Sequence, residues 1–404
     1  MRAQTRQGLP SRTRQQQGGG RRRAVSAAAA AALVIGVMTT GVLAPSSASA
    51  SASGSAAPAA ATARPDAVQQ ALNSLVRDDG MPAALASVQD RDGRTRTYTA
   101  GVGDLATGSK VPRDGQVRIG SNTKAFTAVV VLQLVGEGRI GLDTKVDDYL
   151  PGLVRGEGID GRHITVRQLL QHTSGLPDYG VHVDDDEIRN RYLEPRELLD
   201  IALRYKADAA PGETWGYSNT NYVLAGLIVQ KVTGRPLAEE MDRRIIKRIG
   251  LRHTYFPAPG EMTIREPHPQ GYHRNPADGP LRDFTELDPS WAWAAGQLIS
   301  TNSDLNRFFT ALLAGRLLPA AQLAEMRTTV PVGTSGLSYG LGLTSRPLSC
   351  GGVYWGHGGD IAGYETRGGV TDDGRAVNVA VTSIPTDDSA TQHVKDAVDR
   401  ALCG

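Results

Sequence analysis

Patterns typical of β-strands occur near both ends of this 404-residue chain, and a long block of helical patterns separates them. Residues 83–88 and 94–100 are joined around Asp92-Gly93, a dipeptide typical of hairpin turns. Nearer the C-terminus, further strand patterns lie at residues 339–343, 353–356, 363–370 and 376–383. This order predicts an α/β fold of the α+β type. One antiparallel sheet would be built from both chain ends and flanked by helices, with a mostly helical region of roughly residues 140–290 inserted.

The first 64 residues have the composition of a leader and a spacer. Residues 1–23 are polar and basic, residues 24–43 are apolar, and Ala48-Ser49-Ala50 is a small-residue cleavage site. This order predicts a signal peptide over residues 1–50 and therefore a secreted, extracellular protein. An uncleaved membrane anchor is the alternative, and both the Sec and twin-arginine export routes stay open. Residues 51–64 are rich in Ser and Ala and are predicted to be disordered, so the folded domain would span residues 65–404.

Composition excludes several function classes. The formal net charge is +2, and much of the basic excess lies in the first 23 residues, so nothing favours a nucleic-acid partner. The chain has two Cys, and it contains no Cys-x-x-Cys and no His-Glu-x-x-His sequence. We therefore predict neither a metal site nor a cofactor.

Ser121 and Lys124 form the first candidate for catalytic chemistry. The pattern of residues 118–124 predicts an extended approach, a glycine hinge and a helix start at or near Ser121. Lys124 would then lie one turn further on the same helix face. A helix N-terminus stabilises developing negative charge, and a neighbouring amine can take the hydroxyl proton. The alternative is a serine N-cap with a solvated lysine, since Ser-x-x-Lys arises about once by chance in a chain of this length.

Three later stretches place polar groups among turn-forming residues, at 172–178, 211–219 and 355–360. His172 follows a predicted helix over residues 166–171 and is interpreted as a helix C-cap with its ring hydrogen-bonded. Tyr217 with Asn219 could by themselves form a turn. His357, on a predicted glycine-rich strand, could by itself be a core histidine.

Together and in this order, these residues resemble the penicillin-recognising serine hydrolases, and most of all the secreted serine D-alanyl-D-alanine carboxypeptidases and class C β-lactamases. The family pattern of Ser-x-x-Lys, Tyr-x-Asn and Lys/His-Thr-Gly is matched by 121–124, 217–219 and 357–359. Residues 164–175, Cys350 seven residues before the third motif, and a predicted turn at Ala295-Gly296 add to the resemblance, which covers residues 66–403. It implies a β-lactamase/transpeptidase-like fold.

The resemblance also implies catalytic roles. Ser121 would attack the substrate carbonyl and form an acyl-enzyme, while Lys124 and Tyr217 would share the proton transfers. Nearby positive charge is expected to favour a tyrosinate at Tyr217. Asn219 would hold the substrate amide. The backbone N–H groups of Ser121 and Asp360 would form an oxyanion hole.

The third motif would line the opposite wall of the site. His357, Gly358, Gly359 and Asp360 are the expected substrate-binding residues there. In the resembled family an arginine and two hydroxyls hold a terminal carboxylate, and the matching positions here are Thr344, Gly358 and Asp360. We therefore expect weak binding of a free carboxylate.

Two charged side chains modify that expectation. Arg346 lies two residues beyond Thr344, so on a strand it would share the same face and compensate in part. Asp360 could instead attract a substrate amine.

The expected activity is cleavage of a D-alanyl-D-alanine-type peptide, as in peptidoglycan, by a monomer that β-lactams acylate. The expected partners are small peptides and β-lactams, with no nucleic acid and no membrane after signal cleavage. A D-aminopeptidase or esterase of the same family is the first alternative. A class C-like β-lactamase is the next, and His357 in place of lysine argues against it. A non-enzymatic β-lactam sensor is the last.

Two further expectations concern the C-terminal strands. Ser338 lies in Gly336-Leu337-Ser338-Tyr339-Gly340, which matches the nucleophile elbow of α/β-hydrolases. That motif needs a following helix and an acid before its histidine, and no Asp or Glu lies between Ser338 and His357. Cys350 and Cys403 are predicted to form a disulfide, because both lie in an exported chain. The bond would hold the last helix beside the strand that carries the third motif.

Overall fold

The computed structural model describes residues 66–404. The predicted signal peptide over residues 1–50, the predicted disordered segment over residues 51–64 and the predicted domain start at Pro65 lie outside the described residues. Within residues 66–404, no helix is both long and apolar enough to cross a membrane.

Fifteen strands occur in the described part of the chain: β1 Ala83–Gln89, β2 Thr95–Gly101, β3 Val117–Arg118, β4 Arg155–Gly156, β5 Ile159–Asp160, β6 Tyr272–His273, β7 Arg282–Asp283, β8 Ile299–Ser300, β9 Val330–Pro331, β10 Ser338–Tyr339, β11 Thr344–Pro347, β12 Val353–Gly356, β13 Gly359–Ile361, β14 Tyr364–Thr371 and β15 Ala376–Val381. Nine of them form one antiparallel sheet in the order β2-β1-β15-β14-β12-β11-β10-β9, with β13 paired to β14. The predicted sheet built from both chain ends is confirmed, because β1 pairs with β15.

Thirteen helices accompany these strands over residues 66–404: α1 Ala67–Arg77, α2 Thr123–Gly136, α3 Val146–Tyr149, α4 Val166–Gln171, α5 Asp185–Ile188, α6 Pro195–Ala202, α7 Asn219–Thr233, α8 Leu237–Met241, α9 Lys247–Ile249, α10 Trp293–Gly296, α11 Asn302–Leu313, α12 Ala320–Arg327 and α13 Asp388–Cys403. A π-helical segment, Asp242–Ile246, joins α8 to α9. The helices α3 to α9 occupy the predicted inserted region, which also holds two short antiparallel ribbons, β4-β5 and β6-β7.

Both faces of the sheet are covered, and alternation along the strands explains how. In β1, Ala84, Ala86 and Val88 belong to a core cluster with the apolar faces of α1 and α13. Towards the opposite face, Asn302 and Asn306 of α11 donate side-chain hydrogen bonds to carbonyls of β1. The larger core lies on that opposite side, around helix α2, which is buried from Thr123 to Leu134.

Three sequence expectations in this region are wrong. Residues 339–343 are not one strand, because the chain reverses at Gly342, whose φ is +75°, and β10 pairs with β11. The apolar–glycine alternation there imitates strand periodicity, but positive φ favours glycine and bends the chain. Ala295-Gly296 ends the short helix α10 instead of forming a turn. His357 lies in the bend between β12 and β13, not on a strand.

The end of the chain bears on two earlier hypotheses. Ser338 lies on β10 opposite Ser345, and the next element is strand β11, so the nucleophile-elbow alternative is wrong. Cys350 and Cys403 are joined with an S–S distance of 2.02 Å, which confirms the predicted disulfide. The bond fixes the end of α13 to the loop between β11 and β12.

Candidate active site

Ser121 lies where a short strand meets the central helix. β3 pairs with β8, and a 3₁₀ turn over Gly120–Asn122 leads directly into α2. The preceding Arg118 is buried, and its guanidinium donates to the carbonyls of Met262, Thr285 and Leu287 at 2.5, 3.0 and 3.2 Å. These contacts hold β3 in place and thereby restrict the movement of Ser121.

Lys124 is fully buried and is not the solvated lysine of the alternative interpretation. Its Nζ lies 2.9 Å from Ser121 Oγ, 2.6 Å from Asn219 Oδ1 and 3.0 Å from the carbonyl oxygen of Ala295. Burial lowers the pKa of Lys124 to about 7, since the charged form is desolvated. A neutral amine has two N–H donors and one lone pair. It can therefore donate to Asn219 and Ala295 while it accepts the Ser121 proton.

Tyr217 approaches Ser121 from the other side. Its hydroxyl donates to Ser121 Oγ at 2.8 Å, and its ring packs on His172 with centroids 4.4 Å apart. Although 37% of the residue surface is exposed, burial raises the pKa of Tyr217 well above 10. The expectation of a tyrosinate is therefore wrong for this state, because desolvation opposes the charged form. A neutral tyrosine is a proton donor.

The loop after α4 positions Asn219 and begins with His172. Asp178 accepts from the backbone N–H of Asn219 at 3.0 Å and from its side-chain Nδ2 at 3.1 Å. His172 adopts a left-handed conformation as the C-cap of α4, as predicted, and its Nδ1 accepts from the backbone N–H of Ser218 at 3.2 Å. Its Nε2 is buried without a partner among the described residues, so the ring is only half satisfied.

His357 faces these groups across the cavity. Its Nδ1 lies 2.5 Å from the carbonyl oxygen of Gly358, and its Nε2 lies 2.8 Å from the hydroxyl of Tyr339. A carbonyl oxygen only accepts, so Nδ1 carries the proton and Nε2 accepts from Tyr339. Burial, with the Lys124 charge as the next cause, lowers the pKa of His357 to about 3. The imidazole is therefore neutral at physiological pH.

The backbones of the two walls touch at Gly120 and Gly359. A Cβ on Gly120 would lie 2.9 Å from the backbone nitrogen of Asp360, and one on Gly359 would lie 1.9 Å from the carbonyl oxygen of Ile119. Only glycine allows so close an approach. A Cβ on Gly359 would also lie 2.9 Å from the backbone nitrogen of Ser121, so the contact brings the backbone nitrogens of Ser121 and Asp360 near each other.

Arg367 of β14 belongs to the site, although no sequence motif pointed to it. Its guanidinium bonds Asp360 Oδ1 at 2.6 Å and lies 3.2 Å from Glu365 Oε2. A Cβ on Gly358 would meet this guanidinium at 3.1 Å, so the space next to the third motif is already occupied. Burial raises the pKa of Glu365 to about 7. The negative charge expected at Asp360 is therefore largely matched by an arginine.

The groups enclose a cavity of about 450 Å³. All three candidate catalytic side chains meet in the site. Ser121 and Tyr217 line this cavity with Asn219, His357, Gly358 and Asp360, whereas Gly359 does not line it. Thr344 and Arg346 also line it, so the predicted shared strand face is confirmed. Sequence reasoning missed the Ala295 carbonyl, Arg367 and Lys395 of α13. Within residues 66–404, no group of His, Cys, Asp and Glu side chains could hold a metal ion.

Comparison with known proteins found similarity over most of the described chain. The family model described as "Beta-lactamase" matches residues 68–401. The chain is 29% identical to Penicillin-binding protein 4 of Amycolatopsis lactamdurans over 274 residues, which is 65% of this chain and 69% of that protein. It is 43% identical to a D-stereospecific amidohydrolase from Streptomyces sp., with a TM-score of 0.75 over 82% of this chain and 97% of that one. It is 28% identical to the D-amino acid amidase of Ochrobactrum anthropi SV3, with a TM-score of 0.74 over 83% and 96% of the two chains.

Proposed function

Because the chain belongs to the beta-lactamase family of serine hydrolases, we propose that it hydrolyses amides and peptides of D-amino acids through an acyl-enzyme on Ser121. The observation that carries the proposal is the pair of contacts at Ser121 Oγ, one with the desolvated amine of Lys124, which can accept the serine proton, and one with the hydroxyl of a neutral Tyr217, which donates to Oγ. The similarity to the D-stereospecific amidohydrolase and the D-amino acid amidase supports the choice of D-acyl substrates.

The residues suggest a balanced sequence of steps. Neutral Lys124 accepts the Ser121 proton as Oγ attacks the substrate carbonyl carbon. The oxyanion is bound by the backbone N–H groups of Ser121 and Asp360, each worth roughly 2.7–4 kcal/mol in comparable sites. Tyr217 gives its proton to the leaving nitrogen and regains one from protonated Lys124. A water molecule then attacks the ester, and the same groups act in reverse, so amide and water become acid and amine.

A pair of enantiomers tests this function. D- and L-phenylalaninamide should be supplied to the purified enzyme and to Ser121→Ala, with ammonia release as the measurement. We expect the D form to be preferred by at least about a hundredfold, and the variant to release no ammonia above background. An equal rate on both enantiomers, or a preference for the L form, would contradict the proposal.

A D-alanyl-D-alanine carboxypeptidase is the second candidate. It is favoured by Arg346, which lines the same cavity and could bind a terminal carboxylate. The same assay with a D-alanyl-D-alanine peptide and its C-terminal amide separates the candidates. A carboxypeptidase prefers the free acid, whereas an amidohydrolase accepts the amide. Acylation by β-lactams is expected for both.

An extracellular location is also part of the proposal. It is supported by the basic, apolar and small-residue order of the first 50 residues and by the disulfide, which is typical of oxidising compartments. N-terminal sequencing of protein recovered from the culture medium tests it. A chain that starts next to Ala50 is expected, and an intact leader on cell-bound protein would contradict secretion.

A further inference from the structure

One end of the active-site cavity carries more positive charge than the protein itself balances. Arg346 of β11, Arg367 of β14 and Lys395 of α13 line the cavity, and Asp360 is the one carboxylate that lines it. Arg367 is matched by Asp360 and by the buried Glu365 behind it. The charge that remains belongs to Arg346 and Lys395.

Neither of these two side chains has a partner of its own. Among residues 66–404, neither the guanidinium of Arg346 nor the amine of Lys395 takes part in a hydrogen bond or an ion pair. The carboxylate one helical turn beyond Lys395, that of Asp399, accepts hydrogen bonds from the backbone and hydroxyl of Ser349 instead. Burial, and then the charges of Arg346 and Arg367, lower the pKa of Lys395. Two cations that repel each other across a cavity favour an anion between them.

The disulfide fixes the elements that carry these cations. Cys350 follows β11, and Cys403 is the last residue of α13. The bond therefore holds the strand of Arg346 and the helix of Lys395 at one separation. A pre-set separation lowers the cost of ordering a binding site.

The register of the strands places the cavity end that carries Arg346 and Lys395 relative to the scissile bond of a bound substrate. A substrate carbonyl bound by the N–H of Asp360 would place an extended peptide antiparallel to β13, with its leaving group directed toward Gly358 and lower residue numbers. Thr344 pairs with Gly356, and Arg346 pairs with Tyr354. Arg346 thus lies two residues, or about 7 Å, beyond Thr344 along this direction.

We propose that Arg346 and Lys395 form a subsite for a carboxylate on the leaving group, placed further from the scissile amide than the terminal carboxylate of D-alanine. The preferred substrates would be D-peptides in which an acidic side chain or a second residue follows the cleaved bond. This inference rests on the proposed function, because it assigns the leaving-group specificity of the same site.

Two substrates that differ in one charge test the subsite. D-Alanyl-D-glutamic acid α-amide and D-alanyl-D-glutamine α-amide share the scissile bond and differ in the distal carboxylate. We expect kcat/KM of the wild-type enzyme to favour the glutamate substrate at least about tenfold, through a lower KM. Arg346→Gln and Lys395→Gln should each reduce this preference several-fold, through a higher KM for the glutamate substrate. Arg400→Gln, on the same helix but outside the cavity lining, should preserve it.

The outcomes separate the subsite from the proposed function. A wild-type ratio near one, or a tenfold ratio that survives in both variants, would overturn the subsite while hydrolysis of D-phenylalaninamide stood. If D-amides are not hydrolysed at all, binding of the two peptides to Ser121→Ala by calorimetry decides the matter. Tighter binding of the glutamate peptide that is lost in Ser121→Ala/Lys395→Gln would support the subsite, and equal binding would refute it.

Discussion

The two walls of the cavity differ in how their polar groups are paired. The helical wall, formed by Ser121, Lys124, Tyr217 and Asn219, is a closed set of hydrogen bonds with no ion pair inside it. The sheet wall, formed by Arg346, the segment 357–360 and Arg367, contains one matched guanidinium and one unmatched. Catalytic groups must be held in position before the substrate binds. A recognition site, by contrast, can keep a charge unpaired until the ligand neutralises it. The contrast indicates that the helical wall catalyses and the sheet wall selects.

Removal of the buried amine of Lys124 should have the largest effect on activity, because the helical wall would lose its proton acceptor. Lys124→Met keeps an unbranched side chain in the buried site but removes the proton acceptor. We expect kcat/KM for D-phenylalaninamide to fall about 10³- to 10⁴-fold, at the upper end of general acid–base contributions. Lys231→Met, at the exposed end of α7, is the matched control and should keep wild-type activity. A loss below about tenfold in a folded Lys124→Met variant would show that the helical wall does not act through this lysine.

Loss of the tyrosine hydroxyl should have a smaller effect. Tyr217→Phe keeps the ring that packs on His172 and removes the proton donor to the leaving group. We expect about a hundredfold loss on an amide, and a smaller loss on the corresponding methyl ester, whose leaving group needs less help from an acid. Equal losses on both substrates would assign Tyr217 a structural role instead.

The pH dependence of kcat/KM should follow the titration of Lys124 in the helical wall and not that of His357 in the sheet wall. Lys124 acts as a base only when neutral, and its pKa is lowered to about 7, so activity is lost as pH falls through that value. On N-acetyl-D-alanine methyl ester, which does not itself titrate, kcat/KM should rise about tenfold per unit below pH 7 and level off above about pH 8. His357→Gln should retain this limb, because the pKa of His357 is about 3. Loss of the limb in that variant would place the base on the sheet wall.

Asp360→Thr should have the smallest effect, and it tests whether the sheet wall determines the preference for an acid or an amide substrate. Asp360→Thr keeps the backbone N–H but removes the carboxylate that holds Arg367. The freed guanidinium should improve kcat/KM on a D-alanyl-D-alanine peptide relative to its C-terminal amide by about three- to tenfold. If the wild type already prefers the acid strongly, and Arg346→Ala abolishes that preference, then Arg346 has replaced the family's arginine.

The two walls also differ in how much of them the sequence predicts. Ser121 and Lys124 are three residues apart on one turn of helix, so local periodicity places them together before any fold is known. The contact of the Ala295 carbonyl with Lys124 cannot be predicted in this way, because every residue type has a backbone carbonyl oxygen. The sequence also indicated a turn at that point, where the short helix α10 directs the oxygen at Lys124.

Long-range packing decides the sheet wall. Arg367 and Lys395 come from β14 and α13, and nothing in their local sequence distinguishes them from solvated cations. The sequence predicts the charge of Asp360, but its neutralisation by Arg367 depends on the pairing of β13 with β14. The antiparallel sheet itself was predictable, because strand patterns at both chain ends can bury their apolar faces only together.

Trapping of the acyl-enzyme tests most directly whether the helical wall performs the chemistry. The enzyme should be mixed with benzylpenicillin, quenched in acid, digested and mapped by mass spectrometry, with Ser121→Ala and Ser338→Ala treated in parallel. We predict one stoichiometric adduct on the peptide that contains Ser121, retained in Ser338→Ala and absent in Ser121→Ala. An adduct on any other residue, or undiminished labelling of Ser121→Ala, would contradict the assignment of Ser121 as the nucleophile.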